Sequence, residues 1–165
     1  MNKVAKFSSH FGNLFIAFSE LGMSGSALTQ MTSLTDFCER VNKSTGSLCE
    51  ETTSLPKTLV NSLSLWSEEN NHSDLIFDFG NSTFFQQDVW KACQKIPFGA
   101  TLSYSELASS IKRPKATRAV GSALGANPFL VLIPCHRVVR SNGDLGGYAY
   151  GTDLKMNLLK IESAK

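Results

Sequence analysis

A chain of 165 residues, 42% hydrophobic and 18% charged, has the length of one large domain or two small ones. It can take about 70% of its unfolded surface out of water without staples. This composition excludes collagen-like, coiled-coil and intrinsically disordered chains. The net charge of +2 hides an asymmetry: residues 1–79 hold 5 Lys+Arg against 9 Asp+Glu, and residues 80–165 hold 11 against 5. Such a split points to nucleic acid or another anionic partner for the second half, or to nothing more than an ordinary solvated face. The longest apolar run near the start, Leu14-Phe15-Ile16-Ala17-Phe18, is too short for a signal sequence or a bilayer span. No membrane association and an intracellular, cytoplasmic location are therefore expected. Cys38, Cys49, Cys93 and Cys135 are scattered with no C-x-x-C pair, which is not a disulfide framework. His10, His72 and His136 lack structural-zinc spacing. No metal and no cofactor are expected.

In the first half, residues 14–20 are β-rich, Leu21-Gly22 is a turn signal, and residues 23–28 follow as the second arm of a hairpin. Leu34, Phe37, Cys38 and Val41 have i, i+3, i+4, i+7 spacing and predict an amphipathic helix. Leu55, Leu59, Leu63 and Trp66 make a second apolar stripe, with Pro56 near its start. Phe77-Asp78-Phe79 reads as a short strand. Asn70-Asn71-His72-Ser73 and Gly80-Asn81-Ser82 are polar and turn-like, and a boundary is expected between them, giving domains 1–78 and 79–165.

The second half is more legible. Thr83-x-x-Gln86 is a capping box that opens a helix with Phe85, Val89, Trp90, Cys93 and Ile96. Pro97-Phe98-Gly99 stops that helix. Ser103-x-x-Glu106 is a second capping box, opening a helix that ends at Lys112-Arg113-Pro114-Lys115. A third helix is expected over 116–126, before Asn127-Pro128. An apolar run at 129–133, a turn at Asn142-Gly143 and a last helix over Thr152–Ser163 complete the chain.

Two patterns carry chemistry. The helices over 103–112 and 116–126, joined by a short turn, resemble a helix-turn-helix. The second contains Ala119, Gly121, Ser122, Ala123, Gly125 and Ala126, although each glycine costs about 1 kcal/mol of helix stability. Such a thin surface serves either close helix–helix packing or entry into a narrow groove. Lys115 and Arg118 stand at its start, where phosphates bind. The second pattern is Ile133-Pro134-Cys135-His136-Arg137-Val138-Val139-Arg140. Flanking cations are expected to lower the Cys135 pKa toward the reactive thiolate. Adjacent residues of a strand point to opposite faces, so a Cys135–His136 contact needs the bend that Pro134 favours or a bridging water. A buried, inert cysteine is the alternative.

The hexapeptide Ile133-Pro134-Cys135-His136-Arg137-Val138 resembles the active-site signature of the O6-alkylguanine-DNA alkyltransferases. Phe85-Gln86-Gln87-Asp88-Val89-Trp90, Ile96-Pro97-Phe98-Gly99, Ser103-Tyr104, Arg118-Ala119-Val120-Gly121, Ala126-Asn127-Pro128 and Gly147-Tyr148-Ala149-Tyr150-Gly151 fall in that family's order and approximate spacing. The match runs over residues 83–162. The resemblance implies a mixed α/β (α+β) fold. A small ribonuclease H-like sheet-and-helix domain would come first. A mostly helical domain with a winged-helix-like helix-turn-helix would follow.

The resemblance also implies roles. Cys135 is the nucleophile, because a soft thiolate suits attack on an sp³ alkyl carbon. His136 takes its proton through a water, and Glu162 orients His136. Asn127 braces the turn between the recognition helix and the active-site loop. Tyr104 donates to the base as charge develops, with Lys155 assisting proton delivery. The Val138 carbonyl and the Ala149 N–H read the guanine edges, and Tyr148 walls the pocket. Arg118 fills the gap left by a flipped base. Lys115, Ala119, Gly121, Ser122 and Ser103 complete the DNA-contacting set. The implied partner is double-stranded DNA containing O6-alkylguanine, bound through the minor groove by a monomer. Some members have Ser where this chain has Ala149, and a non-catalytic sister group has Trp where this chain has Cys135. The chain lacks the early Cys/His cluster that binds zinc in some animal members.

Two other readings compete. A helix-turn-helix regulator without chemistry leaves Cys135, His136 and Glu162 unemployed. A cysteine hydrolase leaves the small-residue helix and Arg118 without a task.

Overall fold

A computed structural model describes residues 1–70, 72 and 74–163. The chain divides into two compact units, Met1–Ser82 with Pro128–Leu132, and Thr83–Asn127 with Ile133–Lys165. Together they make a mixed α/β fold with a small sheet and six helices among the described residues. Among these residues no helix is long and apolar enough to cross a membrane.

The first unit is built on three strands, β1 (Asn2–Ser9), β2 (Gly12–Ser19) and β3 (Gly22–Leu28), followed by helix α1 (Leu34–Thr45), strand β4 (Cys49–Glu51) and helix α2 (Lys57–Glu69). The sheet order is β3-β2-β1-β4, with β4 parallel to β1 and the other pairs antiparallel. The hairpin expected from residues 14–28 is therefore β2–β3. At Gly22 φ is +132°, and a Cβ would sit 2.7 Å from the Ile76 carbonyl oxygen, so only glycine fits this turn. Strand β1 is not announced by its sequence. It mixes Val4, Ala5 and Phe7 with Lys3, Lys6, Ser8 and Ser9, a weak strand composition. It is central because both its edges are paired.

Ser33 caps α1 by accepting from the Asp36 N–H, and Gly46 ends it in the left-handed conformation. The helix lays Phe37 and Val41 on Val4, Phe15, Ala17 and Ala27 of the sheet. Helix α2 starts at Lys57 with Pro56 as its cap, so Leu55 lies outside it. Phe77 makes a single bridge to Met23, in place of the strand expected over 77–79. The Phe77 ring instead packs edge-on against Phe129, 4.8 Å between centroids. Of the turn expected at Asn70-Asn71-His72-Ser73, Asn71 and Ser73 lie outside the described residues.

The second unit holds α3 (Phe84–Gln94), β5 (Leu102–Ser103), α4 (Tyr104–Ser110), α5 (Thr117–Gly125), β6 (Val138–Val139) and α6 (Thr152–Ser163), with a short parallel β5–β6 pair. Both expected capping boxes form, at Thr83/Gln86 and Ser103/Glu106. Trp90 Nε1 of α3 donates to the Ala123 carbonyl of α5 at 2.8 Å, which anchors the small-residue helix from its buried side. Segment 129–133, expected as one apolar run, is broken by turns, with Val131 at φ +71°. A β-branched residue in that region is strained.

Candidate active site

Residues 135–137 form one turn of 3-10 helix, preceded by Pro134 and followed by β6. Cys135 and His136 are thus not neighbours on an extended strand. Asn127 holds the turn from outside, with Nδ2 donating to the Ile133 carbonyl at 3.0 Å and to Cys135 Sγ at 3.4 Å.

Behind the turn lies a buried ionic group. Glu162 of α6 accepts from Arg137 Nε at 3.0 Å on both oxygens, and from Arg137 Nη2 at 2.8 Å. Its Oε1 is 2.7 Å from His136 Nε2. Arg137 Nη1 donates to the Ile96 carbonyl at 2.7 Å, and the guanidinium stands 5.5 Å from the Phe98 ring centroid. Burial opposes ionisation of Glu162, but the hydrogen bonds and charges of His136 and Arg137 outweigh it and hold its pKa at about 2. Burial lowers the His136 pKa, more than the Glu162 contact raises it, so the ring is neutral at pH 7. A carboxylate cannot donate, so Nε2 carries the ring proton and Nδ1 is the basic nitrogen.

Lys155, also on α6, is enclosed. Its Nζ donates to the Val138 carbonyl at 2.6 Å and the Gly147 carbonyl at 3.2 Å, and lies 3.5 Å from Tyr104 Oη. Burial lowers its pKa to about 8, although a negative charge at Cys135 or Cys93 would raise it. Burial raises the Tyr104 pKa, assisted by Cys135 and opposed by Arg140. Gly146 sits against this tyrosine: φ is +73°, and a Cβ there would stand 2.8 Å from Tyr104 Oη.

These groups border a cavity of about 470 Å³, lined by Tyr104, Arg118, Gly121, Cys135, Tyr148 and Ala149 among others. That volume suits a small-molecule-sized group. Arg140, one of the cations that flank Cys135 in the sequence, also lines it. Of α5, Arg118, Ala119, Ser122 and Gly125 are exposed. A Cβ at Gly125 would meet nothing within 4 Å, and one at Gly121 would make only ordinary contact with the Tyr104 ring. Close helix–helix packing therefore does not explain these glycines. Lys115 is exposed and lies apart from the cavity, beside Arg113 and Pro114. Ser103 is buried as the cap of α4.

One expectation changes. Flanking cations were expected to lower the Cys135 pKa. Burial instead raises it, with Asn127, Lys155 and Tyr148 only partly offsetting the effect. Arg137, the nearest cation in sequence, is committed to Glu162. Val138, expected to offer its carbonyl to a base, already accepts from Lys155, although a carbonyl has two lone pairs.

Residues 84–164 match the family model described as 6-O-methylguanine DNA methyltransferase, DNA binding domain. A methylated-DNA–protein-cysteine methyltransferase of Methanosarcina mazei is 41% identical over 123 residues, 68% of this chain and 78% of that protein. The namesake from Methanosarcina acetivorans is 51% identical over 82 residues, 50% of this chain. The chain spans about half the length of the first curated relatives it matches, 53% in that case. Among solved structures, Mycobacterium tuberculosis OGT in complex with DNA superposes with a TM-score of 0.77 at 31% identity, covering 98% of this chain and 93% of the other. The O6-methylguanine-DNA methyltransferase of Pyrococcus kodakaraensis gives 0.72 at 27% identity, covering 98% and 99%. With its fold matched over nearly its full length and its sequence over 78% of the M. mazei protein, the chain belongs to the methylated-DNA–protein-cysteine methyltransferase family.

Proposed function

We propose that this protein repairs DNA by moving the alkyl group of O6-alkylguanine, and of O4-alkylthymine, onto Cys135, once per molecule. The observation that carries this reading is the Cys135 thiol at the edge of the 470 Å³ cavity, braced by Asn127 and backed by the buried His136–Glu162 pair. The thiol gives its proton through a water to His136 Nδ1, and the sulfur attacks the alkyl carbon. The S–C bond forms as the C–O bond breaks. The departing guanine is met by the Tyr104 hydroxyl, with the Lys155 ammonium behind it. The Ala149 N–H and the Val138 carbonyl hold the base edges, and Tyr148 forms a wall.

An alkyl carbon inside the base stack cannot be approached in line, so the nucleotide is flipped out. Arg118 fills the vacated space. The thin face of Ala119, Gly121 and Ser122 enters the minor groove, with Lys115 toward phosphates. Residues 79–165 carry binding and transfer on a winged-helix-like helix-turn-helix, and residues 1–78 are a ribonuclease H-like structural domain. The protein acts as a monomer in the cytoplasm, on nucleoid DNA.

The test is incubation with duplex DNA containing O6-methylguanine, followed by intact-protein and peptide mass spectrometry. One methylene mass on Cys135 and none on Cys38, Cys49 or Cys93 is expected. Repeated turnovers, or alkylation of another cysteine, would overturn the reading. A regulator would gain no mass, and a hydrolase would regenerate its thiol.

A further inference from the structure

Cys38 and Cys49 are 11 positions apart in the sequence, and neither belongs to the alkyl-transfer site. The fold brings them together. Cys38 lies in α1 and Cys49 opens β4, the edge strand. Both pack against the cluster of Val4, Phe15, Ala17, Ala27, Phe37 and Val41. Their thiols are within hydrogen-bonding reach of each other, and both are half-buried free cysteines, where Cys93 and Cys135 are buried. We propose that Cys38 and Cys49 form an oxidative modification site, closing to an intramolecular disulfide under hydroperoxide and fastening α1 to the sheet edge.

The chemistry balances with hydrogen peroxide as oxidant. The Cys38 sulfur attacks one peroxide oxygen and the O–O bond breaks. The displaced hydroxide leaves with the thiol proton as water, and a sulfenic acid remains on Cys38. The Cys49 sulfur then attacks that sulfur. The S–O bond breaks, the S–S bond forms, and the second hydroxide leaves with the Cys49 proton as water. Two thiols lose two electrons and the peroxide gains them. Burial, reinforced by the hydrogen bond and charge of Cys38, pushes the Cys49 pKa up to about 12. In a reducing compartment the pair rests as thiols, and the bridge is reversible.

The edge it closes is lightly held. Strand β4 has three residues, flanked by the bonds Asn2 N–H to Leu48 O and Thr52 N–H to Val4 O, each 2.8 Å. A covalent tie between α1 and the first residue of this strand removes unfolded-state freedom from the intervening loop.

The experiment treats the full chain with a small excess of hydrogen peroxide, then blocks remaining thiols and maps them by mass spectrometry. The expected result is loss of two hydrogens, a Cys38–Cys49 cross-linked peptide, two thiols still blockable on denaturation, and full recovery by reductant. The oxidised chain should melt several degrees higher. Cys49→Ala should block the bridge and leave Cys38 accumulating sulfenic and then sulfinic acid, while alkyl transfer to Cys135 continues at the unmodified rate. Intermolecular dimers, a bridge involving Cys93 or Cys135, or stepwise over-oxidation of Cys38 in the unsubstituted chain would overturn the proposal. The mapping is done on the unsubstituted chain, so its outcome decides the matter even where a variant folds poorly.

Discussion

Glu162 Oε1 lies 2.7 Å from His136 Nε2, with both side chains almost wholly buried, and the same carboxylate takes a two-oxygen contact from Arg137. Three groups that are costly to bury singly are thus mutually satisfied. Glu162→Gln leaves the Arg137 charge unbalanced, and breaking a buried pair in this way costs about 3–5 kcal/mol. For a chain of this size the melting temperature at pH 7 should fall by about 10 °C. The folded Glu162 pKa of about 2 is below its unfolded value, so its stabilisation is present above pH ~4.3 and is lost as pH falls toward 2. The lowered His136 pKa acts in the same direction, from pH ~6.5 downward. Melts at pH 7, 5 and 3 should show the unsubstituted chain losing stability steeply and Glu162→Gln more gently. Parallel slopes would mean that Glu162 is not the group titrating.

Lys155 is expected to set the alkaline side of the proposed reaction. Its pKa of about 8 means that the ammonium beside Tyr104 disappears as pH rises through that value. If the departing base needs that positive charge, the transfer rate constant should fall above pH 8; because burial lowers the His136 pKa, the fall on the acid side should begin only below the ordinary histidine range. Lys155→Arg should keep activity to higher pH. Lys155→Met should lose the alkaline limb and about 10²-fold in rate. A rate that climbs steadily through pH 9 would remove Lys155 from proton delivery.

Much of this arrangement is legible in the sequence, for identifiable reasons. The two capping boxes and the last helix depend on contacts three or four residues apart, and their positions follow from the sequence to within about two residues. The Cys135, His136 and Glu162 grouping is legible only through family resemblance, because residues 26 or more positions apart declare no proximity. Strand β1 is not legible, since its place comes from pairing with β2 and β4 and not from its own polar composition. Arg137 misleads for a related reason. Adjacency in sequence suggests a cation working on Cys135, but the 3-10 turn sends it to Glu162. Nothing local marks Cys38 and Cys49 as a spatial pair.

Gly146→Ala should misplace Tyr104 without touching the thiol. The backbone there has φ +73°, and the added Cβ would stand 2.8 Å from the tyrosine hydroxyl oxygen and 2.9 Å from its ring. The left-handed conformation alone costs an alanine about 1–2 kcal/mol. Transfer from DNA should slow at least as much as in Tyr104→Phe, while alkylation of Cys135 by a simple alkyl halide should be unchanged. Equal slowing of both reactions would indicate general distortion of the site.

Arg118 is exposed on α5 and lines the cavity. If it occupies the stack after flipping, Arg118→Ala should lose activity on duplex DNA but little on the free modified base, which needs no extrusion. The unstacking cost at stake is a few kcal/mol, so the duplex loss should reach about 10²-fold. DNA binding should also weaken with salt, through counterion release. Equal losses on both substrates would make Arg118 a folding residue.

The spent protein should be less stable than the fresh one. Cys135 is only 7% exposed, with Asn127 Nδ2 at 3.4 Å from its sulfur and Tyr148 among the walls of the same cavity. An alkyl group on that sulfur has little room once the base has left. Overpacking of this kind costs about 1–3 kcal/mol. The thioether also gives up the thiol's proton and most of its capacity to accept from Asn127, so the brace on the 135–137 turn weakens at the same time. Since Asn127 directly follows the small-residue helix, strain at Cys135 reaches the face proposed to contact DNA, and the alkylated chain should release DNA sooner. At 2–4 °C per kcal/mol the melting temperature should drop by roughly 2–12 °C, more for a benzyl than for a methyl adduct. Thermal melts before and after stoichiometric reaction, with substrate removed, read this directly. An unchanged or higher melting temperature for the benzylated chain would show that the cavity accommodates its product, and destabilisation would then play no part in clearing the spent molecule.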